Sequence, residues 1–236
     1  MATVVLVHGT TAGGWVWRGI APRLREAGHI VYTPTLTGLG ERSHLASPNI
    51  NLETHILDIV NTMDCEDLEN VVLVGHSYGG MVIAGVADRM TDKVEVLVYL
   101  DALVPYDGES GSDVLPVPAR EWLAGLVQAQ GEGWLIPVSS GRNNLRVHNT
   151  PHPYLTWTQK LKLKNPAALA AIPAVYVRCT ADKGPGGAFA GIVDSSFERA
   201  QSAGWPIYEA NTVHQIIPDP VPKADVLLRV LGDHVR

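Results

Sequence analysis

The chain has 236 residues, a length that a single domain with an insertion can fill, and 46% of them are hydrophobic against 18% charged. Together with a mean hydropathy of +0.07, this composition is typical of a compact globular protein and argues against extensive disorder. The net charge of −6 and the isoelectric point near 5.8 argue against a nucleic-acid partner, because such proteins usually present a basic patch. The acidic net charge is more compatible with neutral or hydrophobic small molecules as substrates.

The sequence contains two cysteines, Cys65 and Cys179, which are too few for a disulfide framework and favour a reduced cytoplasmic setting. Met1 leads directly into an apolar stretch of strand length without a basic leader, so we expect no secretion signal. The sequence has no run of about 18 apolar residues, so we expect no membrane association. We also expect no metal and no cofactor: His148 and His152 have the spacing of one helix face, but the prolines on both sides of His152 argue against that helix.

Predicted strands and helices alternate in the first part of the chain. Four apolar runs have the length of buried strands: 3–7, 30–33, 71–74 and 94–100. Three amphipathic stretches between them predict helices: 15–27, 51–68 and 81–90. Because several of the strands are continuous apolar runs, we predict a parallel sheet that is covered by helices on both faces.

The alternation breaks between residues 105 and 166. This segment contains seven prolines and a group of large aromatic residues, namely Trp122, Trp134, Tyr154 and Trp157. We interpret residues 105–166 as an inserted cap, with the core formed by residues 1–104 and 167–236. The four rings suggest either a pocket for small aromatic or hydrophobic groups or the packing of the cap itself. After the cap, the predicted elements are strands at 174–179 and 206–210 and helices at 189–203 and 222–231.

The pattern G-x-S-x-G occupies residues 75–79, directly after the third predicted strand. Between a strand and a helix, this pattern is typical of a nucleophile elbow, a sharp turn that exposes a serine hydroxyl. The flanking glycines let the backbone pass where a Cβ would clash. An ordinary glycine-rich turn is the alternative interpretation. The strand before the pattern and the amphipathic stretch after it favour Ser77 as a catalytic nucleophile.

A serine nucleophile needs a general base and a third group that orients the base. In chains with this elbow, the acid follows a late strand and the histidine precedes the last helix. His214 lies just before the final predicted helix. Asp182 follows the strand at 174–179, at the strand end where open α/β sheets place their sites, and is the predicted acid. Asp101 ends the strand at 94–100 at the same edge and is the alternative.

Two backbone amides are expected to bind the oxyanion that forms during acyl transfer. One belongs to Tyr78, the residue after the nucleophile, and the other to the loop after the first strand, where we choose Thr10. Gly9 and Gly13 allow this loop to approach a substrate closely, although they would also serve a tight strand-to-helix turn.

Three segments together resemble the plant methylesterase and hydroxynitrile lyase branch of the α/β-hydrolases, with its small bacterial esterase relatives: VLVHGTTAGGW at 5–15, GHSYGG at 75–80 and CTADK at 179–183. The resemblance covers nearly the whole chain outside the cap. It implies an α/β-hydrolase fold, with a mostly parallel sheet, helices on both faces and an inserted cap, and a triad of Ser77, His214 and Asp182. Two further segments, 35–44 and 153–159, resemble bacterial esterases, including carbamate-cleaving ones.

The lyases of this branch carry a lysine after the catalytic histidine and a threonine after the histidine of the first loop. This chain has Gln215 and Gly9 there, so hydrolysis is favoured over cyanohydrin cleavage. The complete set of triad residues argues against a purely ligand-binding receptor. We expect a serine esterase that cleaves a small hydrophobic or aromatic ester, and a carbamate or amide hydrolase is the main alternative. A homodimer is compatible with the sequence.

Overall fold

The computed structural model describes residues 1–138, 148–181, 191 and 193–235. Its strands are β1 (Thr3–Val7), β2 (Ile30–Tyr32), β3 (Val71–His76), β4 (Val94–Leu100), β5 (Leu135–Ile136), β6 (His152–Pro153), β7 (Ala174–Cys179) and β8 (Ile207–Ala210). Its α-helices are α1 (Ala21–Glu26), α2 (Leu52–Cys65), α3 (Gly79–Arg89), α4 (Gly111–Val114), α5 (Val117–Gln130), α6 (Leu155–Thr158), α7 (Pro166–Ala171), α8 (Asp194–Ser202) and α9 (Val221–His234). Among these described helices, none is long and apolar enough to cross a membrane.

The main sheet contains six strands in the order β2-β1-β3-β4-β7-β8, and every neighbouring pair is parallel. The predicted parallel sheet is confirmed. The short strands β5 and β6 form a separate antiparallel pair. Because all six strands of the main sheet run in one direction, the turns after β1, β3, β4, β7 and β8 meet at one edge, where Ser77, Asp101 and His214 come close.

Both faces of the main sheet are buried, and this explains why its strands are apolar at successive positions. In β1, Val5 and Val7 pack into the cluster that includes α2 and α3, whereas Val4 and Leu6 pack into the cluster that includes α1 and α9. Successive side chains of a strand point to opposite faces, so a sheet with helices on both sides needs hydrophobic residues throughout. Each such side chain contributes about 1.5–3 kcal/mol when it is fully buried.

The first predicted helix, 15–27, is two elements in the structure. A 3-10 helix covers Gly14–Gly19, and α1 begins at Ala21. Pro22 lies in the first turn of α1, and because proline has no N–H it cannot continue the helical hydrogen bonds of the preceding turn. The spacing of the apolar residues predicted which side of the helix is buried, but it did not predict the break between the 3-10 helix and α1.

The cap segment, residues 105–166, is tied to core helices near both of its ends. At its start, Arg199 of α8 makes a bidentate ion pair with Glu109, with N–O distances of 2.5 and 2.9 Å. At its end, the backbone N–H groups of Lys164 and Asn165 donate to the buried carboxylate of Asp88 in α3, at 2.8 and 2.7 Å. The division into core and cap stays a prediction.

Candidate active site

Ser77 lies on the turn between β3 and α3. Its φ is +54°, in the left-handed region that residues other than glycine rarely adopt. Hydrogen bonds hold the turn: the Ser77 carbonyl accepts the N–H groups of Gly80 at 3.1 Å and Leu103 at 3.0 Å. Strained backbone of this kind occurs mainly where function requires it. The geometry is that of the predicted elbow.

Glycines let the elbow lie directly against neighbouring backbone. A Cβ at Gly80 would lie 2.0 Å from the carbonyl oxygen of Leu103, a distance at which no side chain fits. On the opposite side, a Cβ at Gly9 would lie 2.9 Å from the Cβ of Ser77. The loop after β1 therefore lies against Ser77, as expected of a loop that supplies an oxyanion donor.

His214, in the loop between β8 and α9, faces Ser77. Its Nε2 lies 3.1 Å from Ser77 Oγ, and its Nδ1 lies 2.6 Å from Asp101 Oδ2. An ionised carboxylate only accepts hydrogen bonds, so Nδ1 carries the proton. The lone pair of Nε2 is then free to accept the proton of the Ser77 hydroxyl, as a general base must.

Asp101, the alternative acid in the sequence analysis, lies beside His214. It directly follows β4 with a φ of +45° and is fully buried. Its Oδ1 accepts the N–H of Cys179 at 3.2 Å, and its own N–H donates to the carbonyl of Val177 at 2.7 Å, so β7 fixes both its backbone and its side chain. Asp182 lies outside the described residues. The described geometry favours Asp101, the alternative in the sequence.

Two buried side chains support the loop that carries His214. Nε2 of His76 donates to the carbonyl of His214 at 2.8 Å, and burial lowers the pKa of His76 well below its ordinary value, so this ring stays neutral. Lys223 of α9 donates to Thr212 Oγ1 at 3.0 Å and to the carbonyl of Asp219 at 3.2 Å. These contacts join residues before and after His214 and limit the movement of the loop.

The amides predicted to bind the oxyanion belong to Thr10, one residue after Gly9, and to Tyr78. Within the described part of the chain, neither N–H donates to a protein acceptor. The hydroxyl of Thr10 is also buried without a hydrogen-bond partner among the described residues. Buried donors are normally satisfied, so donors beside a nucleophile that lack a protein acceptor are suited to a bound substrate.

The side chain of Tyr78 is buried in a group of rings. Trp157 stacks on it with ring centroids 5.5 Å apart, and the rings of His152 and His55 meet it edge to face at 5.1 and 5.8 Å. Nε2 of His55 donates to the carbonyl of Thr37 at 3.0 Å, so its Nδ1 accepts the Tyr78 hydroxyl, also at 3.0 Å. Burial lowers the pKa of His55 to about 4, so this ring is neutral at pH 7.

Comparison with known proteins identifies the family. The model of the alpha/beta hydrolase family matches residues 4–221. The chain belongs to this family. It is similar to the carbendazim hydrolyzing esterase of Nocardioides sp. strain SG-4G, with 57% identity over 116 residues, which are 49% of this chain and 48% of that protein. It is also similar to Methylesterase 1 of Arabidopsis thaliana, with 27% identity over 205 residues, 76% of this chain and 78% of that protein.

The chain spans about half the length of the carbendazim hydrolyzing esterase, 48%, and 41% of the length of Methylesterase 8 of Arabidopsis thaliana. A solved structure covers more: an extracellular alpha/beta-hydrolase from a Paenibacillus species, described as sharing structural and functional homology with Tobacco Salicylic Acid Binding Protein 2. It superposes with a TM-score of 0.81 at 26% identity, over 97% of this chain and 98% of that one. The predicted α/β-hydrolase fold and the resemblance to the methylesterase branch are confirmed.

Within this alpha/beta hydrolase, the aromatic residues of the cap segment differ in their surroundings. Trp157 is buried against Tyr78, whereas Trp122 is 65% exposed on α5. Tyr154 packs against the main core. His152 is fully buried beside the elbow. No local sequence pattern indicates this position, because its partners Thr11 and Tyr78 lie far away in the chain.

Proposed function

We propose that this protein is a serine hydrolase that cleaves a small ester through an acyl-enzyme on Ser77. The observation that carries the proposal is the continuous line of hydrogen bonds from Ser77 Oγ to His214 at 3.1 Å and from His214 to Asp101 at 2.6 Å. Nucleophile, base and orienting carboxylate have the separations that nucleophilic catalysis by serine requires. Relatives that are named esterases and methylesterases support the same activity.

In the first step, Ser77 Oγ attacks the carbonyl carbon of the ester while His214 Nε2 takes the hydroxyl proton. The buried carboxylate of Asp101 stabilises the imidazolium that forms. The carbonyl oxygen becomes an oxyanion and accepts the N–H groups of Thr10 and Tyr78. In other enzymes a single donor of this kind lowers the barrier by about 2.7–4 kcal/mol.

In the second step, the imidazolium of His214 gives its proton to the leaving alkoxide, and the ester bond breaks. The acyl group is then bound to Ser77, and the alcohol departs. A water molecule that loses its proton to His214 attacks the acyl-enzyme, which releases the carboxylic acid and restores the Ser77 hydroxyl. The three side chains return to their starting protonation states.

As substrate we propose a small hydrophobic or aromatic ester. The similarity to a relative named for hydrolysing carbendazim favours a carbamate as the second candidate, because the same triad can attack a carbamate carbonyl. Although one relative is an alpha-hydroxynitrile lyase, Gln215 and Gly9 replace the lysine and threonine of the lyases and argue against that reaction.

A substrate panel tests this proposal. Esters, lactones, carbamates and cyanohydrins are assayed with the wild-type enzyme and with Ser77→Ala. We expect turnover of esters or carbamates by the wild type that Ser77→Ala loses. Release of cyanide from mandelonitrile with no ester or carbamate turnover would contradict the proposed reaction, and so would saturable binding of esters without product.

A further inference from the structure

We propose that His152, in the cap segment, is a positioning residue that holds the two backbone amides of the oxyanion hole in place; this inference rests on the proposed hydrolase function. His152 touches both halves of the site. It contacts the backbone next to Thr10, and its ring packs on the side chain of Tyr78. The cap segment thereby contributes directly to the geometry of the catalytic centre.

The first contact restrains the loop after β1. Thr11 has a φ of +61°, a left-handed conformation that costs a non-glycine residue about 1–2 kcal/mol. Three hydrogen bonds to the cap segment offset this cost: the Thr11 N–H donates to His152 Nδ1 at 3.2 Å, its carbonyl accepts the Thr150 N–H at 2.9 Å, and its hydroxyl accepts the Asn149 amide at 3.2 Å. Without them, Thr11 would favour a different backbone conformation.

This restraint reaches the Thr10 amide through the peptide planes on both sides of Thr10. The carbonyl of Gly9, which shares a plane with the Thr10 N–H, accepts Nδ1–H of His8 at 2.9 Å. The N–H of Thr11, which shares the next plane with the Thr10 carbonyl, is held by His152. Because Thr10 is fixed on both sides, its N–H keeps one direction beside Ser77.

His152 can accept a hydrogen bond from Thr11 because its other nitrogen is a donor. Nε2 lies 2.7 Å from Thr156 Oγ1, and the single hydroxyl proton of Thr156 is donated to the carbonyl of Pro153 at 2.7 Å. Nε2 therefore carries the ring proton, and Nδ1 keeps its lone pair. Burial lowers the pKa of His152 well below its ordinary value, so the ring stays neutral and can accept.

The second contact involves the other proposed donor. The rings of His152 and Tyr78 meet edge to face, with centroids 5.1 Å apart and an interplanar angle of 81°. Aromatic pairs in this arrangement contribute about 0.5–1.5 kcal/mol beyond their buried area. Since Tyr78 carries the second oxyanion amide, a change at His152 should displace both donors together.

Two substitutions at His152 separate the hydrogen bond from the packing. His152→Leu keeps an apolar side chain but removes the acceptor, and His152→Asn keeps an acceptor oxygen near the position of Nδ1. With a p-nitrophenyl ester, we expect His152→Leu to lower kcat by roughly 10- to 100-fold, less than the loss of a whole oxyanion donor, with KM changed less than about 2-fold. His152→Asn should recover part of this loss, because it keeps the acceptor for the Thr11 N–H but not the ring that packs on Tyr78.

A second pair of variants tests the inference if His152→Leu does not fold. Thr156→Val removes the hydroxyl that fixes the tautomer of His152, and Thr156→Ser keeps it. We expect the valine variant to have the lower kcat at equal KM. Circular dichroism and thermal unfolding check that each variant is folded.

A folded His152→Leu enzyme with wild-type kcat would overturn the inference, as would equal losses in His152→Leu and His152→Asn. Equal kcat values in the two Thr156 variants would also overturn it. Ser77→Ala is measured in parallel: if it keeps wild-type turnover, the proposed function itself is wrong, which is a different result from a failure confined to His152.

Discussion

At the scale of single residues, the partners of each side chain around His214 define its chemical task. Nδ1 faces a carboxylate that can only accept, so the proton is fixed on that nitrogen and Nε2 is left as the base. Asp101 is held in turn by the N–H of Cys179. In the proposed mechanism, the reactivity of Ser77 therefore depends on a carboxylate that lies two hydrogen bonds away from it.

The assignment of Asp101 is tested by a matched pair of variants. In Asp101→Asn, the amide can donate to Nδ1 and so favours the wrong tautomer of His214, and we expect kcat to fall by roughly 10⁴-fold. Asp182→Asn is the control and should keep kcat close to that of the wild type. Steady-state turnover of a p-nitrophenyl ester measures both. A severe loss in Asp182→Asn with an active Asp101→Asn would reverse the assignment.

At the scale of elements, the start of α3 lies so close to the loop after β4 that only glycine fits at the contact. Gly80 brings the helix against the carbonyl of Leu103, and Gly9 brings the loop after β1 against Ser77. These close approaches bring Ser77, the loop after β1 and Asp101 together at one edge of the sheet. Gly9 and Gly80 are needed because a side chain would clash at these positions, whereas a glycine on an exposed helix has room for a side chain.

Two glycine-to-alanine substitutions show this difference. In Gly80→Ala the new Cβ would lie 2.0 Å from a backbone oxygen, so we expect a loss of several kcal/mol in the free energy of unfolding, together with loss of activity. Gly125→Ala in α5 meets no heavy atom within 4 Å and should stabilise the protein by about 0.5–1 kcal/mol. Urea denaturation measures both changes. A Gly80→Ala variant as stable as the wild type would contradict the close approach.

The strands were predictable because both faces of the sheet are buried. Mainly apolar runs, each with one charged residue, Glu95 and Arg178, predicted 94–100 and 174–179 with the same limits as β4 and β7. The choice between Asp101 and Asp182 was not predictable, because these residues follow neighbouring strands that end at the same edge. His152 was missed because its partner Thr11 is 141 positions away in the chain. Contacts of that range leave no local pattern.

At the scale of the whole molecule, neutral histidines are buried close to the catalytic centre. Burial lowers the pKa of both His8 and His55 to about 4, and it moves the pKa values of His76 and His152 in the same direction. All four rings make hydrogen bonds that depend on a neutral imidazole or its proton. The cytoplasmic location and the oligomeric state stay predictions from the sequence.

These histidines predict acid sensitivity. An unfolded histidine has a pKa near 6.5, so between pH 6.5 and 4 the unfolded chain binds protons that the folded chain does not. The free energy of unfolding should therefore be highest above pH 6.5 and fall by about 1.4 kcal/mol per pH unit for each such histidine as the pH decreases. Urea denaturation between pH 7.5 and 4.5 measures the slope.

His55→Gln should make this slope shallower, whereas His44→Gln, at an exposed position, should leave it unchanged. A free energy of unfolding that does not change between pH 7 and 4.5 would show that the buried histidines take up protons as readily in the folded protein as in the unfolded chain.

The proposed role of Ser77 as the nucleophile of an ester hydrolase is tested by kcat/KM for a p-nitrophenyl ester in wild type and in Ser77→Ala. We predict that the substitution lowers kcat/KM by roughly 10⁴-fold or more while the variant stays folded, since the members of a triad act as a unit. A folded Ser77→Ala enzyme with the turnover of the wild type would contradict the account.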